Sequence, residues 1–131
     1  MEEIIKLGAI VMDSNNSEEL SGFYQKLLGW KLERQFFDGE KWIVVKSADG
    51  EGTPLVFQEI EDYKRPKWPS DDGLQQQMLH LDFYVKADDF DNEVEHAVSC
   101  GAILSGIQLS ESWKVMIDPA GHPFCIIPLP T

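Results

Sequence analysis

From Ile4 to Met12 the chain is almost continuously apolar, and Asp13-Ser14-Asn15-Asn16-Ser17 then gathers residues that favour turns and caps. This predicts a buried strand closed by a turn. Asn16 can accept a backbone N–H at a helix start with Glu19 three residues on, and Leu20, Phe23, Tyr24, Leu27 and Leu28 recur at helical spacing until Gly29 stops them. Beyond Trp30 the pattern shortens. The β-prone runs Lys31 to Phe37, Lys41 to Lys46 and Pro54 to Ile60 are separated by Asp38-Gly39 and by Asp49-Gly50-Glu51-Gly52, and predict three strands in a meander.

The stretch from Glu61 to Gln77 carries Pro66, Pro69 and Gly73 among several charges and follows neither apolar period, so it reads as a linker or irregular lid. The pattern then starts again. Met78 to Val85 reads as a strand, Asp88 or Asp89 as the cap of a helix with apolar positions Phe90, Val94, Ala97 and Val98, and Gly101 as its stop. Short strands are expected near Ala102 to Ile107, Ser112 to Ile117 and Pro123 to Pro128, the last two joined by Asp118-Pro119-Ala120-Gly121. Landmarks recur at a nearly fixed offset: Gly8 and His80 stand 72 residues apart, Gly29 and Gly101 also 72, Trp42 and Trp113 71, and Phe57-Gln58 and Phe124-Cys125 67. A strand-helix-meander order held in register this way predicts an internal duplication of a βαβββ unit. The expected organisation is one domain over 1–131, with module one at about 4–60, a linker at 61–77 and module two at about 78–130.

Three runs carry a resemblance: Phe23-Tyr24 through Leu27-Leu28-Gly29-Trp30, Met78-Leu79-His80-Leu81-Asp82, and Asp118-Pro119-Ala120-Gly121-His122-Pro123-Phe124. They are similar to the FY...LLGW, HLD and DPxGxxF patterns of the glyoxalase, bleomycin-resistance and dioxygenase (vicinal oxygen chelate) superfamily. Together they cover nearly the whole chain in the right order. The resemblance implies an α+β fold whose two βαβββ modules form a curled mixed sheet around a cleft. Paired modules in that superfamily build clefts within one chain or across two, so a homodimer is expected.

In a strand alternate residues share a face, so His80, Asp82 and Tyr84 project together and Leu79, Leu81, Phe83 and Val85 oppositely. The apolar face is the one to bury beneath a helix. That leaves an imidazole, a carboxylate and a phenol on the other face, which in the resembled family is the cleft wall. Metal-using members hold a divalent ion with four cleft residues, typically His or Glu, and motif matching puts those places at Gly8, Gln58, His80 and Cys125. Gly8 has no side chain, Gln58 offers a neutral amide oxygen and Cys125 a soft thiolate, so His80 alone is an ordinary ligand. A catalytic site needs about three protein ligands. No metal cofactor is therefore expected, and a divalent ion, with Asp82 as a substitute ligand, is the alternative. His80 beside a carboxylate reads either as a pocket-wall histidine in contact with Asp82 or as a general base.

His96 lies beside Glu93 and Glu95 in the second helix and is expected on a solvated surface, while His122, in the turn before the last strand, is expected to be structural. Cys125, flanked by Phe124, Ile126 and Ile127, reads as an inert small hydrophobe, and Cys100 as packing at a helix end. Trp42 and Trp113 open equivalent strands and serve either symmetric packing or ligand stacking. Trp68 sits among Lys64, Arg65 and Lys67, where it either closes over a ligand or pins the linker.

Length and charge narrow the function. The 131 residues suit one domain, and 11 basic against 23 acidic residues leave a net charge of -12, which repels nucleic-acid phosphates and anionic lipid surfaces. No apolar run follows Met1-Glu2-Glu3 that could serve as a signal or membrane span, and the two cysteines lack a CxxC spacing, so a cytoplasmic protein with reduced thiols is expected. The residues and the resemblance together suggest a protein that binds or sequesters a small organic compound, with His80, Asp82, Tyr84, Gln58, Cys125, Trp42, Trp113 and Trp68 as ligand contacts. The alternative is a metal-dependent lyase, isomerase or dioxygenase of the same superfamily.

Overall fold

The computed structural model describes residues 5–69, 73–75 and 78–129. The expected strand start at Ile4, parts of the expected linker at 70–72 and 76–77, and the last two residues lie outside them. The chain divides into two compact units, Met1–Tyr63 and Lys64–Thr131. Most of the segment expected to act as a linker therefore falls with the second unit.

The first unit runs β1 (Ile10–Ser14), α1 (Ser17–Leu28), β2 (Lys31–Phe37), β3 (Glu40–Lys46) and β4 (Leu55–Glu59). Its sheet order is β1-β4-β3-β2, with β1 parallel to β4 and the remaining pairs antiparallel. The helix starts as expected, because Asn16 Oδ1 accepts from Glu19 N at 3.0 Å, and it ends at Gly29. Leu20, Phe23 and Tyr24 are buried on it, and Met12, Ile43, Val45, Leu55 and Phe57 are buried on the sheet. Tyr24 stacks on Phe57 with ring centroids 5.9 Å apart, which seats the helix over the centre of the sheet. Asp38 and Gly39 both take positive φ, 55° and 80°, as a two-residue hairpin turn between right-twisted strands requires.

The second unit repeats that order: β5 (Leu81–Lys86), a 3-10 turn at Ala87–Asp89, α2 (Phe90–Cys100), β6 (Ile103–Leu104), β7 (Lys114–Ile117) and β8 (Pro123–Leu129). Its sheet is β5-β8-β7-β6, again with the first pair parallel and the others antiparallel. Identical element order and pairing in two four-stranded mixed sheets make this an α+β fold of two βαβββ modules. Phe83 and Phe124 meet edge to face at 5.6 Å in the core beneath α2, where Ala97, Met116, Phe124 and Ile126 are buried.

Several boundaries differ from the sequence reading. The opening strands begin later, at Ile10 and Leu81, and Met78 and Leu79 are 80% and 86% exposed, which removes Leu79 from the expected core face. Of their partner strands, β4 starts just after Pro54 and β8 at Pro123, and neither proline has an N–H with which to extend the parallel ladder. Asp89 occupies the N-cap of α2 but makes no side-chain capping bond, because the 3-10 turn already leads the chain into the helix. The strand expected from Ala102 to Ile107 shrinks to Ile103–Leu104 because the side chain of Gln108 takes over its neighbour's bonding groups. Gln108 Nε2 donates to Val115 O at 2.9 Å, and Val115 N donates to Gln108 Oε1 at 2.8 Å. One amide side chain thus takes the place of the edge strand at Val115 N while Ser105 N still reaches Val115 O, and β7 starts at Lys114 with Trp113 just ahead of it.

Candidate functional site

The alternation anticipated for β5 is present: Leu81, Phe83 and Val85 are half-buried, whereas Asp82, Tyr84 and Lys86 are exposed. Register adds what alternation alone lacks, because Asp82 pairs with Cys125 across the parallel β5–β8 ladder. Paired residues share a face, so the thiol comes beside the carboxylate. His80 precedes the strand, and its Nε2 lies 3.3 Å from Asp82 Oδ1, with the two side chains 49% and 39% exposed. One ligand atom from each of His80, Asp82 and Cys125 falls within 4.8 Å of the other two. Among the described residues no other group of three or more His, Cys, Asp or Glu is gathered this closely.

Asp82 is the hub of this cluster. Partial burial first, and the neighbouring Asp82 carboxylate second, push the Cys125 thiol above its ordinary pKa. The thiol therefore stays protonated at neutral pH, and Cys125 is a poor nucleophile: reactive cysteines have a cation or imidazole beside them, not a carboxylate.

The other expected site residues are placed as follows. Tyr84 is 64% exposed on the same face as Asp82, two residues along. Gln58 pairs with Asp13 in the first unit's sheet, and Trp42 alternates with the buried Ile43, so both belong to the sheet face turned away from α1. Trp113 is half-buried next to β7. Trp68 is half-buried, and its indole N–H has no hydrogen-bond partner among the described residues. His96, expected in solvent, is half-buried, and its ring nitrogens lie 3.8–3.9 Å from Cys100 Sγ one helical turn away.

The pairing of Gly8 with His80 is out of register. Met12 pairs with Phe57 and Leu81 with Phe124, so equating the two phenylalanines puts Val11 in the place of His80 and Asp13 in that of Asp82. Gly8 precedes β1 and does not share the alternation of Val11 and Asp13. The outcome for ligation is the same, because valine has no donor atom.

The turn before β8 is structural, as expected for His122. Asp118 is fully buried; its Oδ1 accepts from Ala120 N and His122 N, each at 2.9 Å, and its Oδ2 lies 2.8 Å from His122 Nδ1. Against this turn lies Arg65, whose Nη1 donates to Pro119 O at 2.7 Å. Nothing in the sequence pattern points to that contact or to Gln108.

A divalent metal is the cofactor that the family resemblance read from the sequence implies. The donor set of this face does not suit an oxygen-preferring ion such as manganese, because one of three donors is sulfur. It does suit a zinc-class ion, for which histidine, carboxylate and thiolate are ordinary ligands and three protein ligands with one open position are the usual catalytic pattern.

Comparison with known proteins places the chain. The family model of the Glyoxalase-like domain matches residues 9–127. A glyoxalase/dioxygenase from Nostoc punctiforme superimposes with a TM-score of 0.67 at 16% identity, over 100% of this chain and 99% of that one. TnmS3, an antibiotic-binding protein from Streptomyces sp. CB03234, gives 0.59 at 17% identity over 97% and 98%. A point mutant of the genomically encoded fosfomycin resistance protein FosX from Listeria monocytogenes, complexed with Mn(II) and 1S,2S-dihydroxypropylphosphonic acid, gives 0.62 at 16% identity over 95% and 90%. None of the curated proteins matches the sequence. No helix among the described residues is long and apolar enough to cross a membrane. These structural likenesses establish the fold, and the match across nearly the full length establishes the family: the chain belongs to the glyoxalase-like domain family.

Proposed function

We propose that this chain is a small-molecule-binding member of the family that holds an organic compound against the open face of β5 and β8 and lacks a manganese-type catalytic centre. The observation that carries the reading is the hub position of Asp82. It leaves the face with a carboxylate, an imidazole, a phenol and a protonated thiol, which are hydrogen-bonding groups for a ligand without an activated nucleophile among them. The Streptomyces relative that binds an antibiotic is a precedent for a binding role on this fold. The net charge of -12 favours a neutral or basic compound over an anionic one.

Native mass spectrometry of the chain purified from its own source tests this. We expect a bound organic species in the wild type that is lost in Asp82→Ala, since removing a charged hydrogen-bond partner costs about 1.5–3 kcal/mol, roughly 10- to 100-fold in affinity, and that is weakened in Tyr84→Ala, where losing a neutral partner costs about 0.5–1.5 kcal/mol. A wild-type chain that carries no organic species, or an Asp82→Ala variant that retains it, would overturn the proposal.

A further inference from the structure

Register also brings a row of side chains together on the first unit's sheet. Phe57 faces α1, where Tyr24 stacks on it, so Gln58 faces the other side. Gln58 pairs with Asp13 on β1, and the pairing of Ile43 with Phe57, carried one step on, sets Trp42 beside Gln58 on β3. Gln35 on β2 pairs with Trp42 in turn. The row therefore reads Asp13, Gln58, Trp42, Gln35, one residue from each strand on a single face. At about 4.8 Å between strands it runs about 14 Å, enough to hold a two-ring aromatic system.

None of the four is spent on holding the fold. Asp13 and Gln35 are exposed, Gln58 and Trp42 half-buried, and their side chains make no hydrogen bond or ion pair among the described residues. The cations of this sheet are engaged elsewhere: Arg34 and Lys41 bind Glu18 on α1, and Lys46 binds Glu33. Lys31 stands about 13 Å along β2 from Gln35. The second unit shows that the row is not a by-product of the βαβββ pattern. Equating Phe57 with Phe124 puts Val115, not Trp113, in the place of Trp42, and Val115 is buried with Gln108 bonded to its backbone. An indole at this place belongs to the first copy alone.

We infer that this row is a second binding site, for a flat nitrogen heterocycle whose edge sets a carbonyl beside N–H donors, as an aminopyrimidinone ring does. The indole of Trp42 supplies the stacking face, and the half-buried pair Val44 and Val56, on the same side of the sheet, supplies apolar ground next to it. The Asp13 carboxylate only accepts, so it takes the ring's N–H donors, and the Gln58 amide beside it donates to the ring carbonyl. The net charge of -12 favours an uncharged base or nucleoside over a nucleotide. The site lies on the first unit's sheet and does not depend on a compound bound at β5 and β8.

Full-length protein titrated with guanosine, with unsubstituted pterin and with adenosine, followed by calorimetry and by NMR amide shifts, tests the inference. We expect saturable binding of guanosine or pterin at one per chain, the tighter of the two telling whether the site takes a nucleoside or a free ring, with shifts centred on Asp13, Trp42 and Gln58. Adenosine offers an acceptor nitrogen where the carboxylate needs a donor, and binds at least about 10-fold more weakly. Trp42→Leu keeps apolar bulk but removes the stacking face and weakens binding about 5- to 150-fold, and Trp42→Phe restores most of it. Asp13→Asn, at an exposed position that folding does not depend on, weakens binding about 10- to 100-fold. Glu19→Gln removes an exposed charge from α1, on the other side of the sheet, and leaves the affinity unchanged. The inference fails if wild type binds neither ring, if adenosine binds as tightly, or if Asp13→Asn or Trp42→Leu binds like wild type. It fails equally if the shifts centre on Asp82 and Cys125, a result that would assign the ring to the face of β5 and β8 and leave the previous proposal standing.

Discussion

Gly121 is held by two constraints that act on the same atom position. Its φ of 95° is left-handed, and a Cβ built there would lie 2.6 Å from Arg65 Cγ and 3.1 Å from Nε. The arginine stem packs on the bare α-carbon while its guanidinium donates to Pro119 O, so Gly121 both turns the chain after Asp118 and seats the segment that precedes Trp68. The two constraints can be separated by a double-mutant cycle. Gly121→Ala should cost about 2–3 kcal/mol in urea unfolding, about 1 of it from the positive φ and the rest from displacing Arg65. In an Arg65→Ala background the cost of Gly121→Ala should fall to about 1 kcal/mol, and additive effects would show that the side chains do not compete.

Among the elements, the short β6 depends most on one distant side chain. Gln108 supplies the acceptor that Val115 N would otherwise take from an edge strand, and its amide shares Val115 O with the N–H of Ser105 just past β6. Gln108→Ala should destabilise the second unit by about 1–2 kcal/mol, two net hydrogen bonds' worth, and the Val115 amide should lose protection in hydrogen exchange. Unchanged exchange at Val115 would mean that β6 lengthens to replace the amide. This is also where sequence pattern stops being informative. Apolar period and turn residues locate both helices and the hairpins, because Asn16, Gly29, Asp38-Gly39 and Gly101 act on their immediate neighbours. The alternation of Leu81, Asp82, Phe83 and Tyr84 is equally legible, for the same reason. The parallel register is not. Sequence offsets put Gly8 in the place of His80, whereas the two ladders, with Phe57 and Phe124 equated, put Val11 there, because register depends on groups many residues apart. For the same reason the sequence sets Asp82 on the face of His80 and Tyr84 but not directly opposite Cys125, a contact that is a consequence of the β5–β8 pairing.

For the whole molecule, acid brings two effects that can be told apart. The charge of -12 falls to zero near the isoelectric point of about 4.5, where mutual repulsion between chains vanishes and association is expected. Glu18 follows a different course. Hydrogen bonds from Arg34 and Lys41 hold its carboxyl at about 2, down from 4.5, and they tie α1 to β2 and β3. A carboxyl with a depressed folded-state pKa contributes stability above its unfolded value, and that contribution is lost as pH falls from 4.5 toward 2. Light scattering should therefore peak near pH 4.5 while far-UV circular dichroism remains native, since the Glu18 links are still intact there. In Glu18→Gln the scattering peak should barely move. Its melting temperature should lie below that of wild type at pH 7, and the gap should close between pH 4.5 and 2 and narrow with added salt at pH 7, as exposed charges are screened. A gap that stays constant across that range would mean that Glu18 supports the helix by packing alone.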